Sequence, residues 1–182
     1  MLIARKLRKE NIVEYLLYMW QIEDLLRAFN FDINLINEKI VSQYTVNEQD
    51  KKEIEEWYES LTDMMLRENV KKEGHLQINK NVMLQLSEFH EDMLRTNKDA
   101  AYSAKFIHIL PLILQLRKQQ TDTTISDTEV CLNFLYGIMA LRMKGEKITP
   151  ETERAQQEIS KFLVLMAKNY NEFKKDDNFF AD

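Results

Sequence analysis

The chain of 182 residues carries 25 Lys and Arg against 30 Asp and Glu, a net charge of −5, with 45% hydrophobic and 30% charged residues. That balance is far from the apolar-poor signature of disorder, and it offers no concentrated positive charge for a phosphate backbone, so nucleic acid is not an expected partner. With only three glycines and two prolines to punctuate hairpins, it predicts an all-α fold: one domain over residues 1–182, a single-domain bundle of about seven helices with the first helix central.

The basic run "ARKLRKE", carrying Arg5 to Lys9, reads as an exposed helix start, because Glu10 and Glu14 follow at once. Asn11 with Glu14 forms a capping pair that opens the first strong helix, running to about Asn30. A second helix follows Asp32, with Ile33, Ile36, Ile40 and Tyr44 on one side. Asn47 caps a third, which carries Ile54, Trp57, Tyr58, Leu61, Met64 and Met65 on one face and is expected to stop at Gly74. Val82, Leu86, Phe89 and Met93 mark a fourth.

A fifth helix starts near Asp99 and contains Pro111, which predicts a kink near His108. Its most apolar stretch, Phe106 to Leu116, is far shorter than the roughly 20 residues of a membrane span, so it reads as a core helix and no membrane is expected. Ser126 and Glu129 form a capping box for the sixth, closed by Lys144 and Gly145. Thr149 and Pro150 open the seventh, with Ile159, Phe162, Leu163, Met166, Tyr170 and Phe173 turned inward. The tail, residues 175–182, is expected to fray unless Phe179 and Phe180 dock.

Catalytic signatures are missing. Cys131 is a lone cysteine in the apolar run "EVCLNFLYGIMAL", which reads as a small core residue in a reducing compartment. The N-terminus lacks a signal-peptide h-region, and the expected location is the cytoplasm. His75, His90 and His108 show no ligand spacing, so neither a metal site nor a cofactor is expected. "SEFHED", around His90, reads as a solvated helix face, and His108 as a hydrogen-bonded core residue. No Gly-x-Ser-x-Gly elbow or glycine-rich phosphate loop occurs, and no residue is assigned a catalytic role.

"EEWYE", Glu55 to Glu59, resembles the first acidic motif of the all-helical nucleotide pyrophosphohydrolases, a Glu-Glu-x-x-Glu helix that holds magnesium with a later Glu-x-x-Asp. The second motif departs from the pattern, since Glu88 and Glu91 form Glu-x-x-Glu. Glu55, Glu56, Glu59 and Asp63 also lie opposite Ile54, Leu61 and Met65, where they face water rather than a common ion.

The first helix is apolar on most sides, which predicts that it is covered on most sides. Glu14, Tyr18 and Gln21 form one polar strip, while Glu23, Asp24 and Arg27 fall in the arc that Ile12, Leu16 and Trp20 make apolar. Glu23 and Arg27, four apart, are placed to pair. Glu14, Tyr18, Trp20, Gln21 and Asp24 are the candidate ligand- or partner-binding residues.

The segment "KENIVEYLLYMWQIEDLLRA" resembles the N-terminal signature of a family of small helical proteins from Bacteroidetes-type bacteria, catalogued as a domain of unknown function. That resemblance implies a bacterial protein and brings no activity, cofactor or site residues. The expected function is therefore non-enzymatic association, as a homo-oligomer or with another protein, through residues such as Trp57, Tyr58 and Met64. The alternative is a small-molecule site or a cryptic hydrolase centre around the first helix.

Overall fold

A computed structural model describes residues 2–120, 122, 124–176 and 178–180, and every regular element among them is helical. The order is α1 Leu2–Glu10, α2 Ile12–Ala28, α3 Ile33–Lys39, α4 Glu48–Arg67, α5 Gln77–Thr96, α6 Ala100–Arg117, α7 Asp127–Met143 and α8 Pro150–Phe173, with a 3-10 turn at Val41–Gln43. The helix expected first is α2. The basic run before it closes into a helix of its own, interrupted at Asn11, which brings the count to eight.

Helices start where the sequence places them at Asp32, Asn47, Asp99, Ser126 and Thr149, and each of these side chains caps its helix. Asp32 accepts from the Leu35 N–H, Asn47 from Asp50, Asp99 from Ala101 and Tyr102, Ser126 from Glu129, and Thr149 from Thr152. The expected stop at Lys144 and Gly145 holds, with Gly145 at φ 75°, but that of α4 differs. Beyond α4, Asn69 takes a left-handed φ of 57°, its N–H donates to Leu66 O, and the Val70 N–H donates to Met65 O. That is a Schellman stop, so α4 ends at Arg67 and Gly74, at φ 82°, turns the following loop instead. Asn30 closes α2 in the same way, with Phe31 N–H donating to Leu26 O. Asparagine tolerates this backbone region better than most residues, which lets a glycine-poor chain end its helices sharply.

The chain forms two compact units, residues 1–9 with 14–81 and residues 10–13 with 82–182. In the first, α2 is buried around much of its circumference: Leu16 and Leu26 are inaccessible, and Tyr15, Met19, Trp20 and Ile22 are buried. Tyr58, expected at the surface, is buried on α4, while Trp57 and Met64 are half-buried.

In the second unit α6, α7 and α8 pack against one another. Phe106, Ile109 and Ile113 turn inward, but Ile107 and Leu114 are exposed, so α6 is a core helix on one side only. It runs unbroken through Pro111. Cys131 is inaccessible, and burial pushes its thiol up to about 12. Phe179 and Phe180 dock, their ring centroids 6.3 and 6.0 Å from that of Phe89; residues 177, 181 and 182 of the expected frayed tail lie outside the described set. No helix among the described residues is long and apolar enough to cross a membrane.

Two histidines exchange the places expected of them. His108 is exposed, with Nε2 3.3 Å from Glu158. His90 is buried against Phe106 and Phe162, and its Nδ1 lies 2.7 Å from the Tyr102 hydroxyl. The α5 face that reads as polar in sequence turns inward at His90 because one satisfied hydrogen bond lets a flat ring join an aromatic cluster.

Burial lowers His90 to about 4. An unfolded histidine titrates near 6.5, so between these values the unfolded state takes up a proton that the folded state refuses. The contribution is complete above about pH 6.5 and is lost as pH falls, by about 3 kcal/mol at pH 4. Urea denaturation at neutral and acid pH should show this decline, and His90→Gln should flatten it; an unchanged slope in that variant would remove His90 as its source.

Candidate functional site

The polar residues of α2 do two things. Glu23, at 1% exposure, is the buried carboxyl group of the first unit. Its Oε1 accepts from the Leu76 N–H at 3.0 Å and from Asn79 Nδ2 at 2.7 Å, and its Oε2 lies 2.6 Å from His75 Nδ1. Tyr15 extends the network, its hydroxyl 3.4 Å from Asn79 Oδ1. The indole of Trp20 stacks on the His75 ring, with centroids 4.4 Å apart and planes 19° from parallel. Asp24, exposed, binds Arg27 at 2.7 Å, and Arg27 in turn donates to the carbonyls of Val70 and Gly74.

Arg27 therefore pairs with Asp24, not with Glu23. The reason is that the loop between α4 and α5 presents the Leu76 N–H and the His75 imidazole to Glu23, the first turn of α5 adds the Asn79 amide, and the same loop presents carbonyl acceptors to Arg27. The polar face of α2 is a clamp on that loop. The sequence carried the signal for Glu23, an acid within an apolar arc, but its partners stand more than 50 positions away.

The other candidates go elsewhere. Glu14 is exposed and Gln21 half-buried. Tyr18 joins Tyr44 and Tyr58 in a hydrogen-bonded trio, where burial raises the phenols of Tyr18 and Tyr58 above their ordinary range. Of the five predicted residues, Trp20 thus lies at the Glu23–His75 network, Asp24 at the Arg27 clamp and Tyr18 in the tyrosine trio. The acidic run on α4 stays outward, with Glu56 and Glu59 exposed and Glu56 3.8 Å from Lys52. No three His, Cys, Asp or Glu side chains converge as metal ligands among the described residues.

The second unit carries a groove of about 790 Å³, open to solvent, between the C-terminal halves of α6 and α7 and the first half of α8. Leu112 and Leu116 line it from α6, and Phe134, Ile138 and Leu141 from α7. It stays unfilled because Gly137, Ala140 and Ala155 supply little or no side chain. Gly137 needs no unusual backbone angle, and a Cβ built on it meets nothing within 4 Å. A glycine within a helix costs about 1 kcal/mol against alanine, so this position keeps space clear at the expense of helix stability. That glycine, in the middle of the apolar run of α7, was the signal for the groove in the sequence.

Polar groups border the groove. Glu158 receives Lys105 and Lys161, each at 2.7 Å, and these ammonium groups hold its carboxyl down to about 2. Lys144 and Arg154 line the rim with no carboxylate partner among the described residues.

No curated protein and no solved structure matches this chain. A family comparison does, across both compact units and with the all-helical architecture expected from the resemblance of α2: the chain belongs to the family described as "Domain of unknown function (DUF4924)", matched over residues 1–177.

Proposed function

We propose that this is a cytoplasmic bacterial protein that works by association, with itself or with another protein, and not by catalysis. The observation that supports this reading is the open, apolar-floored groove of the second unit. Its volume falls in the range of small-molecule sites, about 300–1,000 Å³, but such sites enclose most of their ligand, whereas this one lies along three helices and faces solvent. Helix-spaced apolar ridges on α6 and α7, with Gly137 between them, suit the packing of one more helix. Exposed Leu114, Leu141 and Met143 on the same two helices add apolar surface.

A displayed library of helical peptides about four turns long tests this. The wild-type chain should select members with an apolar stripe, and Gly137→Phe should select none. A Cβ at this position meets nothing within 4 Å, so the added side chain starts into open space and occupies the groove. Equal selection by both chains, or no striped peptide from either, would contradict docking in the groove.

A second reading rests on His75. Its ring is held on one side by Glu23 and Trp20 and is 30% exposed on the other, the form of an oriented imidazole available to a small molecule.

A further inference from the structure

We propose that α1 docks on the surface of an anionic lipid bilayer. The helix, Leu2–Glu10, holds Arg5, Lys6, Arg8 and Lys9 against Glu10 alone, in a chain whose net charge is −5. The next acid, Glu14, follows the break at Asn11 and belongs to α2. Leu2, Arg5, Lys6 and Lys9, spaced by three, one and three residues, share one face of α1, and all four are exposed. That face is about 10 Å long, on the order of one Debye length at physiological salt, so its three cations act together on a charged surface. Arg8 is turned away from it: the guanidinium carbon lies 5.7 Å from the centroid of the Tyr15 ring, a contact that holds α1 to α2.

Exposed apolar side chains stand beside these cations. Leu2 is 51% and Ile3 42% exposed, and within α1 only Ala4 is buried. Cations around a leucine, with a second apolar residue at the edge, make the face of a helix that lies in a membrane interface, where Lys and Arg meet anionic headgroups and Leu and Ile enter the acyl boundary. Duplex nucleic acid would use the cations and leave Leu2 and Ile3 in water, so lipid fits the whole face and a phosphate backbone only half of it. The contact is peripheral and needs no spanning helix; among the described residues none is long and apolar enough to span. The rest of the chain carries more negative than positive charge, which an anionic surface repels, so the same field that attracts α1 orients the molecule on it. The cytoplasmic leaflet of a membrane is the anionic one, in keeping with the compartment proposed above.

Co-sedimentation of the full chain with lipid vesicles tests this. The protein should bind vesicles of phosphatidylcholine containing about one-third phosphatidylserine, stay in solution with phosphatidylcholine alone, and be released as salt is raised. Arg5→Gln with Lys9→Gln should weaken binding about thirtyfold, and Leu2→Ser about fivefold. All three positions are exposed, so the fold is retained, and unchanged melting curves check that it is. Equal binding to neutral vesicles, or no binding to either kind, would overturn the proposal. Duplex DNA bound as tightly as the anionic vesicles, with Leu2→Ser affecting neither, would assign the face to nucleic acid and overturn it as well.

Discussion

Replacing Glu23 with alanine should destabilise the protein by about 3–5 kcal/mol, the usual consequence of breaking a buried charged network from one side. The Leu76 N–H and Asn79 amide would lose their acceptor in a region from which water is largely excluded, and His75 would lose the group that fixes its ring. Glu23→Gln should cost less, about 1–2 kcal/mol, because an amide oxygen can still accept the two bonds now made to Oε1. Chemical denaturation of the three proteins gives these values directly. An alanine variant as stable as wild type would mean that the α4–α5 loop is held by other contacts.

Trp20→Ala should cost a similar amount, about 3–5 kcal/mol, for a different reason. Its indole is 3% exposed and supports the His75 ring from below, so removal loses apolar burial and leaves a cavity beside Glu23. Since Trp20 and Glu23 share His75, the double variant should cost less than the two single effects combined. Glu14→Gln, on the exposed side of the same helix, should change stability by no more than about 0.5 kcal/mol. Together these variants separate the buried face of α2 from its solvent face.

The helices were legible because their signals are local. Asp32, Asn47, Asp99, Ser126 and Thr149 each cap a helix within three residues of themselves, and the apolar stripe of α8 turns inward where its period says it must. The end of α4 was misplaced because asparagine at position 69 could do what the glycine at 74 was expected to do. His90 and His108 were misread because each has one deciding contact, with Tyr102 and with Glu158, and neither contact lies within one helix. Glu23 could be recognised as an acid in an apolar arc, but Arg27 was the partner in reach along the helix, while His75, Leu76 and Asn79 come from the far side of α4. The groove is a matter of space left empty by three helices, and Gly137 alone in the sequence hints at it.

The most direct test of docking in the α6–α8 groove is amide NMR of the labelled protein, titrated with a striped peptide taken from the library. Shifts should cluster at Gly137, Leu141, Arg154 and Ala155, while the Trp20 indole and the Leu76 amide stay in place. Shifts at Trp20, His75 and Leu76, with Gly137 and Ala155 unmoved, would contradict the groove and move the site to the Glu23–His75 network.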